Sequence, residues 1–321
     1  MSVVRSVDTN EGDVSFAHQA LLYGSKDEFL AGTVPLVRDG LECGDPVRIV
    51  TTERNTGWLR AELGEQARHV AFCDNSEWYA NPARALAALH RIVRMGISGG
   101  HRLRMIQEPL WTARTGQDSR EWFREESLVN VALAAANATF MCTYDTRVVE
   151  IKVMANVART HPEIVLDGSP RASPTYTDPG VFNAECNRSP LPELPPPTLW
   201  LRFRQLDQLA TLRAFVTSYA TESGAASGSV SKFVQAVDEV ATNAIEHGGG
   251  SSVLQVWTSP HALVCEISDT GGGLRDPLAG QLPPERFAGG HGLWLARQFS
   301  DLVEVHSAPT GTIVRLHLAL S

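Results

Sequence analysis

The segment from Gly168 to Thr198 reads GSPRASPTYTDPGVFNAECNRSPLPELPPPT, and it divides the chain. It is dense in proline, serine and glycine and lacks the apolar period of a helix or a strand. Its end, Pro195-Pro196-Pro197, is stiff and extended. It reads as an interdomain linker over residues 169–197, between a first domain, 1–168, and a second, 198–321. A length of 321 residues accommodates two ordinary domains, each able to bury its own core.

Before the linker, short apolar runs alternate with helical patterns. ALLY (20–23), PVRIVTT (46–52), HVAFCD (69–74), LRMIQE (103–108) and TFMCTYD (139–145) read as buried strands. Residues 26–40, 81–95 and 119–136 read as helices. This alternation predicts an α/β fold, a mostly parallel sheet with helices on both faces. The first strand is followed by YGSKDEF, too poor in glycine to cradle phosphates, and neither GxGxxG nor a Walker lysine motif follows it. After the linker the order changes. A strand at 199–203 precedes helices at 206–223 and 229–247. A hairpin, a loop rich in glycine and proline (270–290), a helix at 292–299 and two last strands complete an α/β sandwich. No internal repeat is visible.

The formal net charge is −8, which lacks the basic signature of a nucleic-acid binder. No apolar run is long enough to span a bilayer, and MSVVRSVDTNEGDVSF has no signal-peptide core. A cytoplasmic protein is expected. Cys43, Cys73, Cys142, Cys186 and Cys265 are widely spaced and form no CxxC pair, which argues against a disulfide framework or a zinc site.

The chemistry concentrates in the second domain. In DEVATNAIEHGGG (238–250), Asn243 sits inside a helical pattern where asparagine is a poor former. Glu239, Asn243 and His247 recur every four residues and share one helix face. In SDTGGG, Asp269 ends a strand and Gly271, Gly272 and Gly273 follow. In GGHGLWLA, Gly289, Gly290 and Gly292 open a helix. A strand-end aspartate can accept from an exocyclic amine such as that of adenine. Glycines at a helix start expose N–H groups suited to phosphate. An asparagine oxygen can hold magnesium, and a carboxylate one turn earlier can take a proton. One imidazole and an amide do not make a zinc site, so His247 reads as a helix-end residue that complements the dipole. Arg275 and Arg286 in the loop read as solvated, with contact to a terminal phosphate on loop closure as the alternative. His18 and Trp111 read as structural.

These motifs resemble the GHKL ATPase superfamily over about residues 199–320. Glu239 and Asn243 match its N box, Asp269 with Gly271 and Gly273 its G1 box, and Gly290-His291-Gly292 its G2 box. Gly311-Thr312 matches the family's threonine near the adenine. The resemblance implies a Bergerat-type fold that binds ATP and Mg2+. It places Glu239 as the catalytic residue and Asn243 as the metal residue. Asn243, Asp269, Gly271, Gly273, Gly290, His291, Gly292, Leu293 and Thr312 would lie around the nucleotide. Within the superfamily, DEVATNAIEHG and GGHGLWLARQFSD resemble the RsbW-type anti-sigma serine kinases. In the first domain, FAHQALLYGSKDEFLAGTVPLVRDGLECGDPVRIVTT resembles the MEDS sensory domain over 16–168, with His18, Tyr23 and the turn at 39–45 its positions of interest. MEDS followed by a GHKL kinase resembles the RsbA-type anti-sigma regulators. That resemblance implies a serine/threonine kinase acting on a STAS-type anti-anti-sigma protein. It also implies a sigma factor as second partner and a homodimer, without direct contact to nucleic acid or membrane. The alternatives are a non-catalytic sequestration module and a histidine kinase. A proline-rich linker cannot supply the dimerisation helices of the latter.

Overall fold

The computed structural model describes residues 15–79, 81–96, 101–111, 116–196, 198–282 and 291–320. The first half runs β1 (Phe16–Tyr23), α1 (Lys26–Glu42), β2 (Val47–Thr51), α2 (Glu53–Leu63), β3 (Val70–Asp74), α3 (Asn75–Trp78) and α4 (Pro82–Gly96). It continues with β4 (Leu103–Gln107), α5 (Gly116–Ala132), β5 (Ala138–Asp145), α6 (Ile151–Thr160), β6 (Glu163–Leu166), β7 (Ser169–Ala172) and α7 (Pro179–Arg188). The second half runs β8 (Leu199–Phe203), α8 (Leu209–Glu222), α9 (Ser227–His247), β9 (Ser252–Thr258), β10 (Ala262–Asp269), α10 (His291–Phe299), β11 (Leu302–Ala308) and β12 (Gly311–Ala319).

The first sheet has the order β3-β2-β4-β5-β1-β6-β7, parallel except for β7. Helices cover both of its faces. Val50 and Met105 pack under α4 and α5, while their neighbours Ile49 and Ile106 pack under α1 and α2. β5 lies in the middle and is buried at every residue, which is why TFMCTYD shows no polar alternation. The second sheet is antiparallel, in the order β11-β12-β10-β9-β8. α9 buries Phe233, Val237 and Val240 against Leu254, Ile267 and Val314 of this sheet. Both halves are α/β, one mostly parallel and one an antiparallel sandwich.

The segment expected as a linker is not devoid of structure. β7 forms a hairpin with β6 across Asp167 (φ 49°) and Gly168 (φ 73°), and places Pro170 on the edge strand, where a missing N–H is tolerated. α7 is capped by Asp178, whose carboxylate accepts from the N–H groups of Gly180 and Val181, and Pro179 occupies its first turn. Asp-Pro, which resembles a breaker in a proline-rich run, is here a helix start. Phe182 and Cys186 of α7 are buried beside α5 and α6. Beyond it, Arg315 of β12 donates to the Pro192 carbonyl and His306 of β11 to that of Ser189, so the chain lies against the outer face of the second sheet. Among the described residues, no helix is long and apolar enough to cross a membrane.

Candidate nucleotide site

The apolar stripe of α9 faces its sheet, which turns Glu239 and Asn243 to the edge of the core, where both are half-buried. α10 packs directly on that edge. A Cβ on Gly292 would stand 2.8 Å from Glu239 Oε2 and 3.1 Å from Asn243 Nδ2. Only glycine lets the first turn of α10 come this close to the carboxylate and the amide.

Asp269 ends β10 on the other side. Its Oδ1 accepts from Gly271 N at 2.9 Å and from Thr312 N at 3.2 Å. Among the described residues no hydrogen bond falls on Oδ2, so that oxygen is available to a ligand. The glycines at the end of α9 do more than leave the helix. Gly248 caps it, and a Cβ there would stand 2.5 Å from that of Asp269. Thr270 N donates to the Gly248 carbonyl at 3.2 Å, which ties the end of β10 to the end of α9. Gly273 (φ 75°) and Gly280 (φ 67°) need backbone conformations that side chains disfavour, and a Cβ at Gly280 would press on Leu293.

Between these pieces lies a cavity of about 210 Å³. Asn243, Asp269, Gly273, Leu293 and Thr312 line it, with Ile267 and Val314 as apolar walls. Glu239 and Gly292 stand at its Asn243 edge, and Gly271 meets it through Asp269. His291 is the exposed first residue of α10, and His247, also exposed, lines the cavity. Gly290 and Arg286 lie outside the described residues. An apolar slot with an acceptor at one end and a helix N-terminus at the other suits a flat base joined to an anionic chain.

Residues 17–162 match the family of the methanogen/methylotroph, DcmR sensory domain, MEDS, and residues 204–318 match the histidine kinase-like ATPase domain. The chain joins a MEDS domain to a histidine kinase-like ATPase domain. A MEDS domain followed by an ATPase domain is the order that the motifs imply. Among solved structures that match is that of the RsbU and RsbW domains of Rv1364c from Mycobacterium tuberculosis, with 20% identity, 39% of this chain covered and a TM-score of 0.29. The chain spans about a third (32%) of the length of that structure. No curated protein matches.

The ATPase domain is fastened to the MEDS domain by contacts that sequence patterns do not disclose. Arg297 of α10 is buried and donates to Glu121 of α5 at 3.2 Å and to the Val303 carbonyl at 3.1 Å. Burial pulls the Arg297 guanidinium down to about 10, so it stays cationic at neutral pH. Burial works to raise the Glu121 carboxyl, but Arg124 and Arg297 outweigh it and hold the group below the usual carboxylate range. Asn81, which caps α4, donates to the carbonyls of Ser300 and Asp301, each at 2.9 Å. Leu278 and Leu282, in the loop beside the cavity, pack against the MEDS core, and Asn187 donates to the Pro277 carbonyl at 3.3 Å.

Proposed function

We propose that this chain is an anti-sigma regulator with protein kinase activity. Its ATPase domain transfers the γ-phosphoryl group of ATP to a serine or threonine of a STAS-type anti-anti-sigma protein. In its resting form it sequesters a sigma factor, and the MEDS domain biases that choice. The contact of Gly292 with Glu239 and Asn243, beside the cavity that Asp269 lines, is the observation that carries this reading.

The residues present fit ATP and Mg2+. Asp269 Oδ2 would accept the exocyclic amine of adenine, with Thr312 beside it. The N–H groups that open α10 would hold phosphate oxygens, and the glycine at 292 leaves room for them. The side-chain oxygen of Asn243 would hold the magnesium ion. ATP supplies the phosphoryl group when bound. Glu239 accepts the proton of the attacking hydroxyl, a role worth about 100- to 10,000-fold in rate. A histidine autokinase has less support, since α7, the helix between the two domains, contains no histidine.

Incubation with γ-labelled ATP and a candidate STAS protein tests the proposal. The expected result is acid-stable label on the partner, reduced about 100-fold or more by Glu239→Ala with ATP binding retained. Intact ATP binding without transfer would sink the kinase reading and leave a sequestration module. Transfer that survives Glu239→Ala would remove that residue's role alone. Acid-labile label on the chain itself would favour the histidine kinase.

A further inference from the structure

Four side chains far apart in sequence converge in the MEDS core: His18 of β1, Glu126 of α5, Cys142 of β5 and His161, which caps the end of α6. All four are buried, and one potential ligand atom of each lies within 4.8 Å of the others. His18 Nε2 is 3.3 Å from Cys142 Sγ and 3.5 Å from Glu126 Oε2. His161 Nε2 and Cys142 Sγ each stand 3.4 Å from that same oxygen. Ligands bound at about 2.0–2.3 Å around a tetrahedral ion are separated by roughly 3.3–3.8 Å. These four separations have that size.

The surrounding hydrogen bonds fix which atoms face inward. Asn130 Nδ2 donates to the carbonyls of Ser127 and Thr160, so its Oδ1 is the atom 3.1 Å from His18 Nδ1. An amide oxygen only accepts, so His18 carries its proton on Nδ1. His161 Nδ1 lies 2.9 Å from the Val157 carbonyl and donates to it for the same reason. Each neutral ring therefore aims a bare Nε2 lone pair at the cluster. The Glu126 carboxylate facing them is an acceptor too. One thiol proton, on Cys142, cannot serve three acceptors. His161 Nε2 and Glu126 Oε1 are buried and have no hydrogen-bond partner among the described residues. Electron pairs converging without donors call for a cation.

We propose that this cluster binds one divalent transition-metal ion of the zinc class, through His18 Nε2, His161 Nε2, Cys142 Sγ and a Glu126 oxygen. Mixed nitrogen, sulfur and oxygen donors suit zinc and disfavour magnesium or calcium, which take oxygen. The neighbouring groups fit as well. Both imidazoles are oriented by an oxygen on Nδ1, and Gln107 Nε2 stands 3.1 Å from Cys142 Sγ, where an amide donor favours the thiolate. Coordination breaks the S–H bond, forms the S–metal bond and releases the proton to solvent. Four protein ligands leave no open position, so the ion's role is to hold β1, β5, α5 and the end of α6 together rather than to perform chemistry. No pair of cysteines marks such a site, which is why cysteine spacing argues against zinc here.

The test uses the purified full chain, stripped with a chelator and reloaded with Zn2+ or Co2+ without nucleotide. One equivalent of metal per chain is expected, and with Co2+ a thiolate-to-metal charge-transfer band. Folded Cys142→Ser loses the band, and Cys43→Ser, at an exposed thiol, keeps it. Asn130→Ala, which removes the partner of His18 Nδ1 along with two donors to backbone carbonyls, weakens affinity about 10- to 100-fold. Should Cys142→Ser fail to fold by circular dichroism, X-ray absorption on zinc-loaded wild type decides, with one sulfur among four ligands expected. A folded wild-type chain that takes up no metal overturns the proposal. So does a metal shell without sulfur, or a charge-transfer band that survives in folded Cys142→Ser.

Discussion

Gly292 shows how much rests on the absence of one methyl group. The atom that a Cβ at 292 would meet first, Glu239 Oε2, is the end of a flexible side chain, so it can move aside without disturbing the fold. Gly292→Ala is therefore expected to displace the carboxylate. The melting temperature should stay within a few degrees, while ATP turnover should fall about tenfold or more, a 1.4 kcal/mol effect. Paired melting curves and turnover rates check this, and unchanged turnover would refute it. Gly311 is the contrasting case. At φ 146° its Cβ would overlap the Asp269 carbonyl, which is backbone and cannot yield. Gly311→Ala should cost about 2 kcal/mol or more in denaturant melts. At this scale, Glu239 and Asn243 are legible because a spacing of four within a helix fixes their common face. His18, Glu126, Cys142 and His161 are not, because only the sheet order brings β1 beside β5 and under α5.

α5 is the element whose sequence misleads most. The run REWFREES is rich in charge, yet Glu121, Arg124 and Glu126 are all buried. Each has a specific partner: Glu121 meets Arg297, Arg124 meets Asn187, and Glu126 faces the two histidines. Apolar periodicity locates this helix but is blind to the ions that it buries. The same blindness hid α7, whose signal was its cap rather than its period. Because the folded Glu121 carboxyl lies below its unfolded value, its stabilising contribution is present above about pH 4.3. That contribution is lost as pH falls through the folded value. Wild type should therefore lose melting temperature steeply below pH 4. Glu121→Gln should flatten that part of the curve and, by leaving Arg297 buried without its carboxylate, lower stability at pH 7 by about 3 kcal/mol. Melts from pH 3 to 7 decide, and an acid limb as steep in the variant as in wild type would count against it.

At the scale of the molecule, the fold class of both domains is legible, since parallel and antiparallel sheets leave different apolar patterns. The way the domains meet is not, because it depends on single polar contacts with backbone carbonyls. Asn81, the cap of α4, and Arg84 in its first turn grip the end of α10 and the chain after it through the carbonyls of Gln298, Ser300 and Asp301. With the domains locked in this way, the full chain should unfold in one calorimetric transition. Removing both side chains, Asn81→Ala with Arg84→Ala, should resolve it into two, and two transitions already present in wild type would contradict the picture. Leu278 and Leu282 carry this coupling to the cavity itself, because they belong to the loop beside the nucleotide site and rest on the core of the other domain. Moving Leu278 and Leu282 off that core would uncover apolar surface on it. On the proposed function, nucleotide affinity would then depend on how Leu278 and Leu282 pack on the MEDS core. On the same proposal, a signal that changed ATP affinity by loosening that core would have its own affinity changed by ATP by the same factor.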